Sequence, residues 1–343
     1  MNIDEREKDI RALMPALANK IYFNYGGQGP LPNTSLEAIV SSWKRIQALG
    51  PFTNEIWPFL ASEINETRQL LAKICGVQPH RIALTENVTS GCVIPILGIP
   101  FKPGERILIS DCEHPGLIAA CKEIAQRKDL FIDELPIQGV REGVNNMKKA
   151  KNQILDILQQ SLKKESRLVV VSHVLWNTGQ VIPIREIAEL LSDHLNKPYL
   201  LVDAAQSFGQ LAVDDAASQA DIYAFTGHKW AFGPEGLGGV TLSERLLEEA
   251  SPALIGWRSL KNESSCNLLE ANQFHEDSRR FEVATSCVPL LAGLRSSLKL
   301  LETEGGASER LTKILCLSCK LWESLKEING INPLLKGPPP SGL

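Results

Sequence analysis

The chain has 343 residues, 43% hydrophobic and 22% charged, enough to bury one large core, or a large and a small one, and too apolar to stay disordered. Its formal charge of -4, from 36 basic and 40 acidic residues, leaves no long basic face for nucleic acid or anionic lipid. Small-molecule chemistry is the class that remains. The N-terminus, MNIDEREKDIRALMPAL, is charged from residue 4 onward and lacks a signal peptide's apolar core. No later apolar run approaches the roughly 18 residues of a membrane span. The expectation is a soluble, cytoplasmic protein with no nucleic-acid or membrane partner.

In chain order, NYGGQGPLP (24–32) is rich in Gly and Pro and reads as an irregular loop. Residues 55 to 74 carry Ile56, Phe59, Leu60, Ile64, Leu70 and Leu71 at helical spacing. From about residue 80 to 243, the β-branched runs RIALT, RILIS, RLVVVSH, YLLVDAAQ, DIYAFTGH and GGVTL alternate with amphipathic helical stretches. That alternation predicts an α/β fold, a mostly parallel sheet covered by helices on both faces. The polar 141–152 stretch reads as a surface connection. After residue 250 come SPALIGWRS, a polar stretch from about 261 to 278, and helical runs near Pro289–Glu302 and 307–327, a change that predicts a smaller domain from residue 256.

The eight cysteines (Cys75, Cys92, Cys112, Cys121, Cys266, Cys287, Cys316 and Cys319) lie in apolar stretches without the spacing of a disulfide framework or of metal knuckles. Cys316 and Cys319 form a CxxC, but apolar residues around it recur at helical spacing, so both read as helix residues. No metal site is expected.

In open parallel sheets ligands bind beyond the carboxyl ends of the strands, where loops and helix N-termini converge. Four such ends carry polar residues: Thr85-Glu86-Asn87, Asp111 to His114, Asp203 to Gln206 and Thr226 to Lys229. Singly, an Asp closing a strand is a cap, a lone His is structural and a loop Lys is solvated. Together they supply what a pyridoxal 5'-phosphate (PLP) site needs: an amine for the Schiff base, a carboxylate for the pyridine nitrogen, a ring partner and phosphate donors. Asp203 would keep the pyridinium protonated, His114 would stack on the ring, and Gln206 could reach the ring oxygen. Thr226, His228 and a helix opened by Thr85-Glu86-Asn87 would hold the phosphate.

The segments DCEHPG, LVDAAQSFG, AFTGHKWAFGPEGLGG and RRFEVATS resemble, in this order, the motifs of class V aminotransferases and cysteine desulfurases, PLP-dependent enzymes of fold type I. The resemblance implies a large domain (20–255) with a mostly parallel seven-stranded sheet. It further implies a small α+β domain (1–19 and 256–343), truncated at its C-terminal part. It makes Lys229, Asp203 and His114 catalytic, places Gln206 on the ring hydroxyl, and gives Thr85, Thr226 and His228 to the phosphate. It also places Thr285 at the phosphate of a neighbouring subunit, hence a homodimer.

YFNYGGQGPLP, VSHVLWNTGQVIPI, GHKWAFGP, IGWRS and RFEVATS are similar, more specifically, to cyanobacterial-type cystine/cysteine C–S lyases. This implies that Asn24, Asn177 and Trp257 line the substrate side, with Asn177 also counted among the cofactor contacts. The implied reaction is β-elimination on cystine or cysteine, giving pyruvate, ammonia and persulfide or sulfide. The sulfur would pass to an acceptor or an iron–sulfur scaffold protein. A desulfurase needs a nucleophilic cysteine on a mobile loop late in the chain, and none is evident. The chain stops at LLKGPPPSGL, before the place where relatives carry that cysteine and the arginines that bind the substrate carboxylate. Cysteine desulfurase and a PLP-binding homologue of little activity are therefore the alternatives, and an ordinary aminotransferase is disfavoured by the lyase-like motifs.

Overall fold

A computed structural model describes residues 10–262 and 273–343; Cys266 and most of the polar 261–278 stretch lie outside the described residues. Seven strands form one sheet: β1 (Ile82–Thr85), β2 (Arg106–Ser110), β3 (Phe131–Leu135), β4 (Ser166–Ser172), β5 (Tyr199–Asp203), β6 (Ile222–Thr226) and β7 (Gly238–Leu242). Their order is β1-β7-β6-β5-β4-β2-β3. The strands from β6 to β3 are parallel, and β7 runs antiparallel to both β6 and β1. The expected mostly parallel seven-stranded sheet is present.

Period-two alternation along each strand divides the core between the two faces of the sheet. In β4, Leu168 and Val170 join Ile107, Ile109, Leu201 and Ala224 on one face, and Val169 and Val171 join Leu108, Val202, Tyr223 and Phe225 on the other. The first face is covered by α3 (Val88–Gly98), α4 (Pro115–Arg127) and α8 (Glu244–Glu249), the helices that carry Ile94, Leu117, Ile124 and Leu246. The second is covered by α2 (Ile56–Ile74), α5 (Met147–Ser161), α6 (Ile184–Asp193), α7 (Asp214–Gln219) and α9 (Val288–Thr303). Helix α1 (Asn33–Leu49) packs on α9, where the Ser35 and Ser297 hydroxyls meet at 2.7 Å. Among the described residues no helix is long and apolar enough to cross a membrane.

Two sequence readings need revision. Strand β3 was not among the strand candidates, because FIDEL is an edge strand whose Phe131 is half exposed and whose two adjacent charges interrupt the apolar run: Glu134 faces solvent and Asp133 pairs with Arg106 and Lys163. The 141–152 stretch is not simply a connection, since α5 begins at Met147 and buries the stripe Ala150, Ile154 and Leu158. Its polar opening is that helix's solvent face. Glu142, buried just ahead of it, receives Lys149 at 2.8 Å and Lys336 at 3.1 Å.

Beyond residue 256 the described residues form two short 3-10 turns (Trp257–Ser259 and Ser278–Phe281), α9, α10 (Ala307–Lys326) and one isolated bridge between Leu260 and Phe274. The RFE segment is tied to the sheet by a buried ion pair. Glu282 accepts from Arg68 at 2.7 Å and from the Leu84 backbone N–H at 2.9 Å. Breaking a buried pair leaves one ion unpaired in a dry site. Glu282→Ala should therefore lower the unfolding free energy by about 3–5 kcal/mol, read from the urea midpoint at unchanged slope. A loss below about 1 kcal/mol, the range of surface pairs, would show that Arg68 finds water or another partner.

Candidate active site

The carboxyl ends of β2, β4, β5 and β6 open onto a cavity of about 700 Å³. It gathers Asn24, Asn87, His114, Asp203, Gln206, His228 and Lys229, seven of the residues that the sequence singles out. Each is set there by its element. Asp203 is the last residue of β5, and Asn87 is the N-cap of α3, its side chain accepting from Ser90 N–H at 2.9 Å. His114 caps α4, its Nδ1 accepting from Gly116 N–H at 3.2 Å. That bond uses Nδ1 as the acceptor and leaves Nε2 as the ring's donor position.

Lys229 follows β6 in a tight turn, in which Phe232 N–H donates to its carbonyl at 3.1 Å and Phe232 is held at φ 53. The Gly/Pro-rich loop closes over this turn, with Gly29 N–H donating to His228 O at 2.8 Å. A Cβ at Gly29 would collide with the Lys229 carbonyl oxygen, so only glycine allows the approach. The same loop holds Gln206, whose Nε2 donates to Gly26 O at 3.0 Å while its Oε1 accepts from Trp230 Nε1 at 2.8 Å. One amide hydrogen of Gln206 is left for a ligand.

Electrostatics follow from dryness. Burial raises the Asp203 carboxyl above its ordinary range, against the Ala205 N–H it accepts from at 2.8 Å and the charge of Lys229. Burial likewise lowers the Lys229 amine, which Asp203 opposes, and lowers His228, which Lys229 reinforces. An amine whose proton is loosened beside a carboxyl group is suited to nucleophilic attack and to proton transfer.

The other singled-out residues lie elsewhere in this chain. Thr226 is buried beneath His228, its hydroxyl 2.8 Å from His228 Nδ1. Thr85 donates to Asn87 O at 3.0 Å and, with Glu86 and Arg258, lines a separate small cavity. Asn177 touches the Cys112 thiol and lines a neighbouring groove, with its Oδ1 buried and unpartnered. Trp257 Nε1 donates to the exposed Thr285 hydroxyl at 3.3 Å, and neither lines the main cavity.

Sequence reasoning passed over several groups that build the site. Ser172 and Trp176 line it. Glu113 is buried behind it, and the chain His173–Tyr223–Ser207 (2.8 and 3.0 Å) braces the end of β5, with His173 N–H donating to Asp203 O. Of these only Ser172 closes an apolar strand, and the others carry no local signal in the sequence. Among the described residues no arginine lines the cavity.

The donor set fits PLP: an amine of loosened proton, a buried carboxylate beside it, a histidine ring, and the α3 N-terminus, whose Val88 and Thr89 line the cavity. The aminotransferase class-V family model matches residues 21–339. A probable cysteine desulfurase of Pyrococcus abyssi is 26% identical over 301 residues, 87% of this chain and 71% of that protein. Among solved structures, the cystine C–S lyase C-DES in complex with its reaction product cysteine persulfide superposes with a TM-score of 0.86 at 39% identity, covering 95% of this chain and 84% of that one. A mutant of C-DES with glycine covalently linked to the PLP cofactor gives 0.87 at 38%, covering 96% and 83%. Borohydride reduction and peptide mapping of the purified protein should place the pyridoxyl group on Lys229. A label on any other lysine would overturn the assignment.

Proposed function

This chain belongs to the aminotransferase class-V family and is a PLP-dependent enzyme, and from that premise we propose that it is a C–S lyase cleaving cystine or cysteine by β-elimination. The observation that carries this reading is the pairing of Lys229 and Asp203 in a cavity that no described cysteine lines. Bound PLP supplies the sink for the electron pair left when the substrate α-proton departs. Asp203 keeps that sink effective, because a buried carboxylate holds a proton on the pyridine nitrogen where a neutral partner would not. His114 offers its ring face, Gln206 its remaining amide hydrogen, and His228, backed by Thr226, a donor for the phosphate. Asn24 faces the substrate. Lys229 Nζ would hold the cofactor and, with substrate bound, would take up the α-proton. The Cβ–S bond then breaks with its electrons leaving on sulfur. For cystine the balance is cystine plus water giving pyruvate, ammonia and cysteine persulfide.

A desulfurase, the name given to the Pyrococcus relative, would instead need a thiolate at the substrate sulfur. The described thiols argue against one. Burial pushes Cys112 and Cys121 up to about 12 and Cys92 well above its ordinary value, while Cys287 and Cys316 are exposed away from the cavity. Replacing the eight cysteines by Ser or Ala should leave pyruvate formation within about threefold where the protein folds. Alanine as main product, or sulfur trapped on a protein cysteine, would establish the desulfurase. Asp203→Asn should retain PLP and lower kcat by at least about 10²-fold, the scale of one lost preorganised charge. An unchanged kcat would reduce Asp203 to a strand cap.

We further read the protein as a cytoplasmic homodimer that hands its sulfur to an acceptor or an iron–sulfur scaffold protein, with a small domain formed by 1–19 and 256–343. The dimer reading draws support from α1, whose exposed Leu36, Val40 and Trp43 form an apolar stripe at i, i+4 and i+7. In such a dimer Thr285 would reach the partner's phosphate. Sedimentation at micromolar concentration should give twice the chain mass, and Val40→Glu with Trp43→Glu should shift it toward monomer. A monomer in the unmutated protein would remove the shared site.

A further inference from the structure

Glu113 lies in the turn between β2 and α4, one residue before His114, and is 3% exposed. No cation touches its carboxylate. Its Oε1 accepts from Ser172 N–H at 2.7 Å and from the Ser110 hydroxyl at 2.9 Å, and its Oε2 lies 2.8 Å from Ser172 Oγ. Ser172 ends β4 and is the register neighbour of Asp203 at the end of β5, and both line the cavity. In a parallel pair such neighbours project from the same face of the sheet. Glu113 therefore stands behind a hydroxyl that stands beside the catalytic carboxylate.

The hydroxyl of Ser172 has a single hydrogen. An ionised Glu113 can only accept, so it claims that hydrogen, and Ser172 shows the cavity only a lone pair. A protonated Glu113 donates from Oε2 to Ser172 Oγ, keeps both bonds at Oε1, and frees the Ser172 hydrogen to point into the cavity. We propose that Glu113 is a positioning residue that works as its neutral acid, turning the Ser172 hydroxyl into a donor beside Asp203 and leaving one negative charge, not two, behind the cavity.

The surroundings favour the neutral acid. The titratable groups that face it are Asp203 from β5, Cys92 from α3, Cys121 from α4 and Cys112 beside it. The charge of Lys229 acts on Asp203. Burial first, and Asp203 second, push the Glu113 carboxyl up to about 7. Two acids in one dry site divide their protons unequally, and the one nearer Lys229 keeps its charge. The inference goes beyond the lyase reading, because it concerns the resting protein and holds for any substrate.

Two measurements that do not involve turnover test it. Glutamate labelled with ¹³C at the side-chain carboxyl, followed by NMR on the unmutated protein, should show one carboxyl titrating near 7, and Glu113→Gln should remove that signal alone. The second is stability against pH. A carboxyl whose folded value exceeds its unfolded value binds more protons when folded between the two, so its contribution to stability is complete below about 4.5 and lost as pH rises through about 7. Glutamine in the same shape donates Nε2–H to Ser172 Oγ at every pH. Its unfolding equilibrium constant relative to the parent's should therefore improve across that window, by on the order of a hundredfold. All glutamates titrating below about 6, or parallel stability profiles for the parent and Glu113→Gln, would overturn the proposal and leave Glu113 an ionised acid held by three donors. Should Glu113→Gln fail to fold, the NMR titration of the parent still decides.

Discussion

An acid and an amine meet at the wall of one cavity, and most of the molecule can be understood as the support that keeps them there. Left in solvent, Asp203 and Lys229 would be an ordinary carboxylate and ammonium. At the ends of two buried parallel strands each loses hydration, so the acid is raised and the amine lowered while their mutual attraction resists both shifts. The sheet makes this feasible because β5 and β6 are adjacent and parallel, and so deliver Asp203 and the Lys229 turn to the same edge. The apolar interior of β4, β5 and β6 is thus both core and source of the desolvation that tunes the chemistry.

That arrangement needs closing from above, and the closure comes from sequence-distant glycines rather than from a further strand. The loop from Asn24 to Pro32 lies over the Lys229 turn because Gly29 has no side chain to strike its carbonyl. In doing so it takes one hydrogen of Gln206 and positions Tyr25 against Trp230, whose rings lie 5.9 Å apart and nearly parallel. The loop, the lysine turn and Gln206 are therefore one packed unit. A change in any one is transmitted to the others through contacts shorter than a water molecule would allow.

The strand cores and the residues just past them were legible because periodicity is local: a buried parallel strand has to be continuously apolar, so the polar residue that ends it stands out. Asp203, His114 and Lys229 were readable that way, as were six of the strands. β3 was not, because this edge strand, FIDEL, sets two adjacent charges inside a short apolar run and breaks the pattern. Thr85, Asn177, Trp257 and Thr285 are a different case. Asn177, Trp257 and Thr285 came from resemblance and Thr85 also from its strand end, and in the single chain their side chains bond to Asn87, Cys112 and one another, away from the main cavity. Glu113 and Ser172 escaped for the opposite reason. Their meaning lies in a cross-strand register between residues 59 apart, which no local pattern encodes.

The fate of sulfur follows from where the thiols are. A persulfide carried on the enzyme requires a cysteine that is both a thiolate near neutral pH and free to reach the substrate. The fold sets these requirements against each other: the cysteines closest to the site, Cys92, Cys112 and Cys121, are the ones whose thiols burial pushes up. The same burial that shifts Lys229 and Asp203 thus disarms the thiols packed beside them. A site tuned in this way has its chemistry at carbon. It can let sulfur leave with an electron pair, but those nearby thiols are poorly placed to capture it.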